Sequence, residues 1–478
     1  MSPSSSFVTA DRAIGAVVAS AVGDALGAGY EFGPPVRADE VVMRPGRLTG
    51  DVAGHWTDDT AMALAVLDAI VDHGTLTSDE SRDAVAAGFW RWWRDGPSDV
   101  GHQTASVLSA ARGPSDLARA ARAVHESDPE RAGNGSLMRT GPVALAHRGD
   151  PESLAAAARR VSALTHPHPL AQDACVLWTL AIDRAIATGR IEGPTVGLSL
   201  IDPARRERWR RWIEDAERRD PGSFNPNGFV VSALQAAWSA IVSTRDAADH
   251  LVAGLRAAVA IGDDTDTVAA IAGALLGAAY GVSAVPFAWR HGLGGWPGYH
   301  SFDLVTRAAR AARGGVDAAG WPDVASLDDH YRLTAAPPGW SSTTRVDEGV
   351  IFGDVGALAQ VDADAFVSLC RVGREDRRSP DHELVWLLDG PQNRDAAGVL
   401  ADTADALARL RASGRRVFVH CVRAETRTPA VAATWLVRHH GFSLDAAWAE
   451  ARRTLPAALE NSVLESAVSA AIDRAARP

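Results

Sequence analysis

The first two thirds of the chain space their apolar residues as amphipathic helices do. Alanine-rich segments place apolar residues at positions i, i+3, i+4 and i+7. Glycine and proline clusters separate these segments, and none alternates with a period of two for long enough to predict a sheet. The pattern predicts helices over residues 11–28, 60–72, 78–94, 151–164, 170–187, 229–242, 247–260 and 265–281. We therefore expect one large all-α domain over residues 10–332.

The pattern changes in the last third of the chain. Short apolar runs at 349–353, 365–370, 384–388 and 416–420 are bounded by polar residues or glycine, and helical stretches such as 396–412 and 429–440 lie between or after them. Short buried strands that alternate with helices are typical of a mainly parallel α/β sheet. Residues 333–344 have the composition of a linker. We therefore expect an α/β domain over residues 345–478, joined to the first domain by this linker.

Length and charge narrow the class of protein. A chain of 478 residues is long enough for two or three domains, and 46% hydrophobic with 22% charged residues is typical of globular proteins. The net charge of −11 gives no general attraction to nucleic acid or to an anionic membrane, so neither partner is expected. All 48 lysine-or-arginine positions are arginine. This excludes lysine Schiff-base chemistry and a Walker-type lysine.

Cysteine content and the N-terminal sequence predict a cytoplasmic protein. The three cysteines have no spacing that indicates a zinc site or a disulfide framework, which fits a reducing compartment. Residues 1–10 lack the basic and apolar pattern of a signal peptide. No apolar run approaches the roughly 18–20 residues that a membrane span requires. We expect no membrane partner.

Two acidic clusters about two hundred residues apart predict a metal site. The first is Trp-Thr-Asp-Asp-Thr at 56–60, the second is Gly-Asp-Asp-Thr-Asp-Thr at 262–267, and a long apolar run follows each. Carboxylates beside hydroxyl groups are hard oxygen ligands, suited to Mg²⁺, Mn²⁺ or Ca²⁺ rather than zinc. Buried acids without a counter-charge are costly, which favours a bound cation. The alternative is that these acids only cap the helices that follow them.

Five motifs in a fixed order carry a family resemblance. They are Gly-Asp-Ala-Leu-Gly at 23–27 followed by Glu31, Trp-Thr-Asp-Asp-Thr at 56–60, Gly-Asn-Gly-Ser-Leu-Met-Arg at 133–139, Thr-His-Pro-His at 165–168, and Asp-Thr-Asp-Thr at 264–267. This succession resembles the ADP-ribosylglycohydrolase family over residues 10–295. The resemblance implies an all-helical fold, two Mg²⁺ or Mn²⁺ ions, and hydrolysis of an ADP-ribosylated protein or a related conjugate.

The resemblance also implies roles for individual residues. The implied metal ligands are Thr57, Asp58, Asp59, Asp264, Asp266 and Thr267. The implied catalytic acids are Glu31 and Asp59, with Asp99 as an additional acid beside the ribose. The implied ADP-ribose cleft is lined by Gly133, Asn134, Gly135 and His166, where the Gly-Asn-Gly turn and the helix after it would offer N–H groups to the diphosphate.

Several of these assignments have alternatives. Asp99 could form a turn or a helix cap, and His166 could be structural. The family usually has Gly-Gly-Asp before the second cluster, whereas this chain has Gly262-Asp263-Asp264. The extra carboxylate of Asp263 could alter metal affinity or simply face solvent. We do not count Asp263 as a ligand.

A second motif lies in the C-terminal domain. His-Cys-Val-Arg-Ala-Glu-Thr-Arg-Thr at 420–428 follows an apolar strand and precedes a helix. This Cys-x5-Arg pattern resembles the cysteine-dependent protein phosphatases of the dual-specificity type. A loop that enters a helix N-terminus directs N–H groups at phosphate and favours the thiolate of Cys421. The resemblance implies that Arg427 grips phosphate, that Thr428 assists the thiolate or its intermediate, and that Asp389 is the general acid, with Asp395 as the alternative.

One departure from the phosphatase pattern is important. The family normally has glycine three residues after the cysteine, and this chain has Ala424, which would be strained if the position needs a positive φ. Glu425 adds a negative charge beside the anion site. A buried cysteine in an inactive phosphatase or rhodanese-like fold is therefore an alternative.

The sequence as a whole predicts a two-domain hydrolase: a metal-dependent ADP-ribosylglycohydrolase joined to a phosphatase-like domain that would take a phosphorylated substrate. One alternative is an ADP-ribose-binding module that does not hydrolyse, coupled to a phosphatase effector. Another is a structural protein built on the glycohydrolase fold. Release of ADP-ribose distinguishes these functions.

Overall fold

The structure is a computed structural model that describes residues 3–312, 321–323, 339–379 and 382–474, with side chains from residue 7 onward. The chain divides into two compact units. The N-terminal unit contains residues 9–285 and 292–314, and the C-terminal unit contains residues up to 8, 286–291 and the described residues from 321 onward. None of the described helices is both long enough and apolar enough to cross a membrane.

The N-terminal unit is built from helices, as the spacing of apolar residues predicts. They are α1 (Pro3–Gly27), α2 (Asp58–His73), α3 (Asp79–Arg94), α4 (His102–Ala110), α5 (Leu117–Ser127), α6 (Val143–Ala146), α7 (Pro151–Ala163), α8 (Pro169–Thr188), α9 (Pro203–Arg218), α10 (Val230–Ser243), α11 (His250–Ala260), α12 (Thr265–Tyr280) and α14 (Ser301–Ala311). Helix α1 belongs to this unit from residue 9 onward. A short antiparallel ribbon of β1 (Gly294–Gly295) and β2 (Tyr299–His300) precedes α14. Helix α9 was not predicted because it is rich in charged residues and buries only Trp209, Ile213 and Ala216.

Helices α1 and α12 approach each other backbone to backbone. A Cβ atom at Gly23 would lie 2.1 Å from the carbonyl oxygen of Ala269, and one at Gly27 would lie 2.4 Å from the Cα of Asp266. Only glycine permits such close approach. The contact brings Asp24, between these two glycines, to the N-terminal end of α12.

The C-terminal unit contains a five-stranded mixed sheet. Its strands are β3 (Ser341–Thr343), β4 (Val350–Asp354), β5 (Ala365–Ser368), β6 (His382–Leu384) and β7 (Val417–Cys421), in the order β3-β4-β7-β5-β6. Only β3 pairs antiparallel with its neighbour, so the described sheet is mainly parallel, as expected. The helices are α13 (Phe287–His291), α15 (Ala396–Ala412), α16 (Arg427–His440), α17 (Leu444–Thr454) and α18 (Ser462–Ile472). Strands β4 and β7 are buried along their whole length, which is typical of central parallel strands.

The unit boundaries differ from those predicted at residues 10–332 and 345–478. Residues 286–291 and 321–323 belong to the C-terminal unit. The Phe287 N–H donates to Asp402 at 2.7 Å, a partner more than a hundred residues away that no local pattern predicts. Residues 341–343, expected in the linker at 333–344, form strand β3, while linker residues 333–338 lie outside the described part of the chain.

The predicted strand at 384–388 is also corrected. Strand β6 ends at Leu384, although the Val385 N–H still donates to the Ser368 carbonyl of β5 at 2.8 Å. Beyond Val385, the side chain of Asn393 takes up backbone groups. Its amide nitrogen donates to the carbonyl of Trp386 at 2.8 Å, and its carbonyl oxygen accepts the Leu388 N–H at 2.7 Å. From Trp386 onward, these bonds take the place of pairing with a neighbouring strand.

Candidate functional sites

Both acidic clusters lie at helix N-termini and come together in the fold. Thr57 is the N-cap of α2 and Asp264 is the N-cap of α12, and neither side chain accepts a capping hydrogen bond. The hydroxyl of Thr57 lies 3.1 Å from Asp59 Oδ2 and 3.3 Å from Asp266 Oδ2. Helix N-termini carry partial positive charge, which favours acids there. Capping alone does not account for the clusters, because their side chains converge on each other.

Asp24 joins this cluster from α1, a residue to which the sequence analysis gave no role. It is fully buried and accepts four hydrogen bonds, from the N–H and hydroxyl groups of Thr57 (2.9 and 2.9 Å) and of Thr60 (2.9 and 2.6 Å). These bonds fix the start of α2 against α1. The available signal was a single acid between two glycines in the apolar part of α1 that follows Arg12.

The donor set fits a divalent cation. Asp24, Asp59 and Asp266 each offer an oxygen within 4.8 Å of the others, and Glu31, Asp99 and Asp266 form a second such group. Asp59 Oδ1 and Asp99 Oδ2 are shielded from solvent and accept no hydrogen bond within the described structure. Among the described residues, none of these five acids forms an ion pair. Buried, unpaired carboxylates are the hard oxygen ligands that Mg²⁺ and Mn²⁺ take.

The protonation of these acids reflects the same lack of counter-charge. Burial raises the pKa of Asp24 to about 6 and that of Asp99 to about 6. Burial, with repulsion from neighbouring carboxylates, raises the pKa of Glu31 to about 9. The pKa values of Asp59 and Asp266 lie well above their ordinary values for the same two reasons. A bound cation favours the charged forms and reverses such shifts.

Two asparagines hold the second cluster in place. The side-chain amide of Asn134 donates to Asp264 Oδ2 at 2.7 Å, and the Asp264 N–H donates to Asn227 Oδ1 at 2.9 Å. Asp58 is held separately, since its Oδ2 accepts the Gly101 N–H at 3.2 Å. Asn227 was missed because it lies in a Gly/Pro-rich segment that the sequence marks only as a loop.

Asp263 lies apart from the metal-binding groups. Its φ is +64°, in the left-handed region where glycine is favoured and aspartate is tolerated. Its carboxylate accepts the Asn227 N–H at 3.2 Å. By contrast, the Thr267 hydroxyl lies 3.5 Å from Asp59 Oδ2, within the cluster.

A cleft of about 380 Å³ opens over the acids, within the size range of small-molecule sites. The residues singled out from the sequence that line it are Glu31, Asp58, Asp99, Gly133, Asn134, Gly135, His166, Asp264, Asp266 and Thr267. The lining residues that the sequence did not identify include Phe32, Gln103, Arg131 and Met138. Thr57 and Asp59 are not among the lining residues and are buried.

The Gly-Asn-Gly turn differs from its expectation. No helix begins directly after it, since residues 135–139 form further turns. The N–H of Gly133 donates to Gln103 Oε1, and that of Asn134 donates to the Gly228 carbonyl, both at 3.2 Å. The glycines instead make room for His166, whose ring would lie 3.0 Å from a Cβ at Gly135. These two amide groups are therefore already bonded, unlike the free donors expected from the sequence.

His166 is buried and neutral. Burial, with the nearby positive charge of Arg139, holds the pKa of His166 well below its usual value. Its Nδ1 lies 2.7 Å from the hydroxyl of Thr165, which also accepts a hydrogen bond from Arg139 at 2.6 Å. These contacts fix the orientation of the ring at the wall of the cleft.

Comparison with known proteins agrees with this architecture. The family model for ADP-ribosylglycohydrolases matches residues 6–318. The chain belongs to the ADP-ribosylglycohydrolase family. It is 33% identical over 290 residues to ADP-ribosylarginine hydrolase Tri1 of Pseudomonas putida (strain GB-1), covering 58% of this chain and 73% of that protein. A solved structure described as an ADP-ribosylglycohydrolase-related protein complex aligns with a TM-score of 0.51 at 30% identity, over 64% of this chain and 99% of that one.

The C-terminal unit of this glycohydrolase-family chain holds the second candidate site. Cys421 is the last residue of β7 and Arg427 is the first residue of α16, so the predicted strand–loop–helix arrangement is present. Cys421 is buried, and its N–H donates to the Thr428 hydroxyl at 2.8 Å. This hydrogen bond therefore holds the start of the Cys421–Arg427 loop at the end of β7.

The glycine position in this loop has the conformation that the sequence analysis considered. Ala424 has a φ of +55° and is buried. An L-residue pays a steric cost of roughly 1–2 kcal/mol in this region. The Glu425 carboxylate pairs with Arg423 at 3.0 Å, so its charge is partly balanced beside the loop.

Of the two candidate general acids, Asp389 contacts the loop. Its Oδ1 accepts a hydrogen bond from the Thr426 hydroxyl, and its Oδ2 lies 3.2 Å from Arg427 Nε. Asp395 instead caps α15, where it accepts the Gly398 N–H at 3.0 Å. The geometry favours Asp389 over the alternative.

A buried serine that contacts two histidines lies beside Cys421, and the sequence analysis did not identify it. The hydroxyl of Ser368 lies 2.6 Å from His420 Nε2 and 2.7 Å from His382 Nε2. Burial lowers the pKa of His420 to about 4 and that of His382 to about 3, so both rings are neutral at pH 7. The network fixes the strand end that carries Cys421.

The solved structure of human DUSP28 aligns with part of the chain, with a TM-score of 0.25 and 23% identity over 28% of this chain and 95% of that one. So slight a likeness carries no weight for the assignment, which depends on the local geometry described above.

Proposed function

We propose that the N-terminal unit hydrolyses the bond between ADP-ribose and a protein side chain or a related conjugate, using two divalent cations, Mg²⁺ or Mn²⁺. The observation that carries the proposal is the convergence of unpaired, buried carboxylates from α1, α2 and α12 beneath a cleft of ligand size. Membership of the ADP-ribosylglycohydrolase family supports it, as does the similarity to a protein named for ADP-ribosylarginine.

The residues that would hold the cations are Thr57, Asp58, Asp59, Asp264, Asp266 and Thr267. Asp24 belongs to the same cluster, since one of its carboxylate oxygens lies within 4.8 Å of oxygens of Asp59 and Asp266. The ions would supply Lewis-acid polarisation of the ribose hydroxyl groups and of a water molecule. Asn134 and Asn227 keep the α12 ligands in position through their bonds to Asp264.

The chain's own acids would move the protons. Water attacks the anomeric carbon of the ribose, the bond to the modified side chain breaks, and the proton lost by water must reach base or leaving group. Glu31 and Asp99 both line the cleft and lie together with Asp266. Glu31 would accept a proton from the attacking water, and Asp99 would act beside the ribose where the leaving group departs. His166, being neutral, shapes the wall of the cleft without adding charge.

Measuring ADP-ribose release from a panel of substrates tests this function. The panel contains peptides ADP-ribosylated on arginine or serine and ADP-ribosylated nucleic-acid ends, with the product identified by mass spectrometry. Asp266→Asn should lower kcat by at least about 10³, the scale of losing a principal electrostatic group. Asp263→Asn is the matched control: its carboxylate bonds to the Asn227 N–H and lies outside the metal-binding groups, so activity should persist.

The same assay separates the alternative functions. An ADP-ribose-binding module would bind free ADP-ribose and release none from any substrate. A structural protein would do neither. Equal activity of Asp266→Asn and the wild-type protein would contradict the proposed site.

We also propose that the C-terminal unit is a cysteine-dependent phosphatase acting on a phosphorylated substrate. The specific observation is the placement of Cys421, Arg427 and Asp389 around one strand–loop–helix junction. The Cys421 thiolate would attack phosphorus, while Asp389 gives a proton to the departing oxygen; water would then hydrolyse the phosphocysteine. Arg427 would bind phosphate oxygens in place of its present contact with Asp389.

Leaving-group dependence tests this second proposal. Asp389→Asn should slow hydrolysis of alkyl phosphates by about 10², the scale of a lost general acid, and have little effect on p-nitrophenyl phosphate, whose leaving group needs no proton. Asp395→Asn is the control, since that residue caps α15. Phosphate release that survives Cys421→Ser would contradict the mechanism.

A further inference from the structure

A second cavity, of about 190 Å³, borders the cleft in the N-terminal unit. It shares two lining residues with the cleft, Asp58 and Asp99. Three tryptophans, Trp56, Trp92 and Trp296, form much of its wall. The proposed mechanism does not use this cavity, and the sequence analysis did not identify it.

Hydrogen bonds between separate segments fix the walls of this cavity. The indole N–H of Trp56 donates to the Trp296 carbonyl at 3.1 Å, and the indole N–H of Trp296 donates to Asp95 Oδ2 at 2.8 Å. Gly295 packs closely against Trp56, since a Cβ there would lie 2.4 Å from the indole nitrogen. The rings are therefore held in place before any ligand binds.

The lining of the cavity favours a planar cation. Aromatic faces attract guanidinium groups through their quadrupole, and the chain's own Arg91 guanidinium already lies 5.7 Å from the Trp296 ring. Asp99 Oδ2 is shielded from solvent and has no hydrogen-bond partner in the described part of the chain. A guanidinium could stack on an aromatic ring and donate to this carboxylate at the same time.

The position of the cavity agrees with this chemistry. A substrate of the proposed reaction carries ADP-ribose on one side of the anomeric carbon and the modified side chain on the other. It therefore needs two cavities that meet at the catalytic acids. Asp58 and Asp99 line both the cleft and the second cavity, which agrees with this requirement.

We propose that this second cavity is the acceptor subsite, which holds the modified side chain during cleavage, and that Trp296 selects a guanidinium-linked substrate there. The inference rests on the proposed hydrolase function of the same cleft. Trp296 acts as a specificity-determining residue because its ring lies at the acceptor side and is absent from the lining of the ADP-ribose cleft.

Substrate selectivity of one variant tests this assignment. Trp296→Leu should lower kcat/KM about tenfold for arginine-linked ADP-ribose, within the range expected for a lost cation–π contact. It should leave kcat/KM for serine-linked ADP-ribose and the Kd for free ADP-ribose unchanged. Trp212→Leu is the matched control: this half-buried tryptophan of α9 packs on Trp209 and lines neither cavity. Equal losses on both substrates, no loss on either, or weaker binding of ADP-ribose would each overturn the proposal.

A binding measurement keeps the inference separate from the proposed activity. Agmatine, a guanidinium compound without ADP-ribose, is titrated calorimetrically into protein saturated with ADP-ribose. The wild-type protein and Trp212→Leu should bind it, and Trp296→Leu should bind it about tenfold more weakly. Butylamine, which lacks the guanidinium, should bind more weakly than agmatine to the wild-type protein. Competition between agmatine and ADP-ribose, or equal agmatine binding by Trp296→Leu, would overturn the subsite. Failure of every substrate to release ADP-ribose would instead contradict the proposed function.

Discussion

Replacing Gly27 with alanine should damage the metal site through the backbone alone. The new Cβ would lie 2.4 Å from the Cα and N of Asp266, whereas ordinary contact begins at about 3.4 Å. Helices α1 and α12 must therefore separate by about 1 Å at this point. Metal–ligand distances tolerate only about 0.2 Å of change. The separation would move Asp24 on α1 away from Asp266 on α12, so that both can no longer serve one cation.

The expected magnitude has two parts. Overpacking of this kind costs about 1–3 kcal/mol of unfolding free energy. Metal affinity should fall about 10- to 100-fold, the scale seen when residues that orient metal ligands are changed. Calorimetric titration of EDTA-treated protein with Mn²⁺ measures the affinity, and urea unfolding in EDTA measures the stability.

Gly15→Ala separates these two effects. Its Cβ would lie 2.3 Å from the Gly277 carbonyl, so it disturbs the same helix pair to a similar degree. It lies twelve residues from Gly27, about 18 Å along the helix. Both variants should lose similar stability, while only Gly27→Ala should lose metal affinity. Wild-type Mn²⁺ affinity in Gly27→Ala, or an equal loss in Gly15→Ala, would refute the reasoning.

Two further predictions follow from strain and from charge. Ala424→Gly should speed alkylation of Cys421 by iodoacetamide, because glycine adopts the φ of +55° at this position without strain. The unfolding free energy of the variant should change by less than about 1 kcal/mol, because the relief of strain is offset by the lost burial of the methyl group and by the more flexible unfolded chain. An unchanged or slower alkylation rate would contradict this prediction. In EDTA, the unfolding free energy of the wild-type protein minus that of Asp24→Asn should fall as pH rises from 4 to 7. The folded pKa of Asp24, about 6, lies above its ordinary 3.8, so its stabilising contribution is lost as pH passes through 6. Comparison with the variant cancels the opposite contribution of the buried neutral histidines. Urea titrations of both proteins at several pH values, with and without Mg²⁺, check the sign, and a rise in this difference would contradict it.

The sequence predicted the parts of the site that local chemistry determines. Acids and hydroxyl groups before an apolar run are recognisable as helix N-termini, and the structure places Asp58 and Asp266 there. The positive φ at Ala424 could be anticipated because only one residue type normally occupies that position. These features depend on a few neighbouring residues.

Features that depend on distant packing could not be predicted. The role of Asp24 arises only when glycines let α1 and α12 touch, and an acid within an apolar stretch does not reveal its partner. Residues 341–343 have linker composition and become a strand through pairing with β4. The cavity beside Asp99 is formed by three segments that are far apart in sequence. In each case the physical cause is a contact with no local pattern.

Metal dependence of ADP-ribose release is the most direct test of the central claim. The protein is stripped with EDTA, Mn²⁺ or Mg²⁺ is added back stepwise, and the initial rate of release from an ADP-ribosylated peptide is followed. The account predicts no release without metal, recovery on addition of either ion, and no recovery in Asp266→Asn. Release at the full rate in EDTA would show that the buried carboxylates act without a cation and would contradict the account.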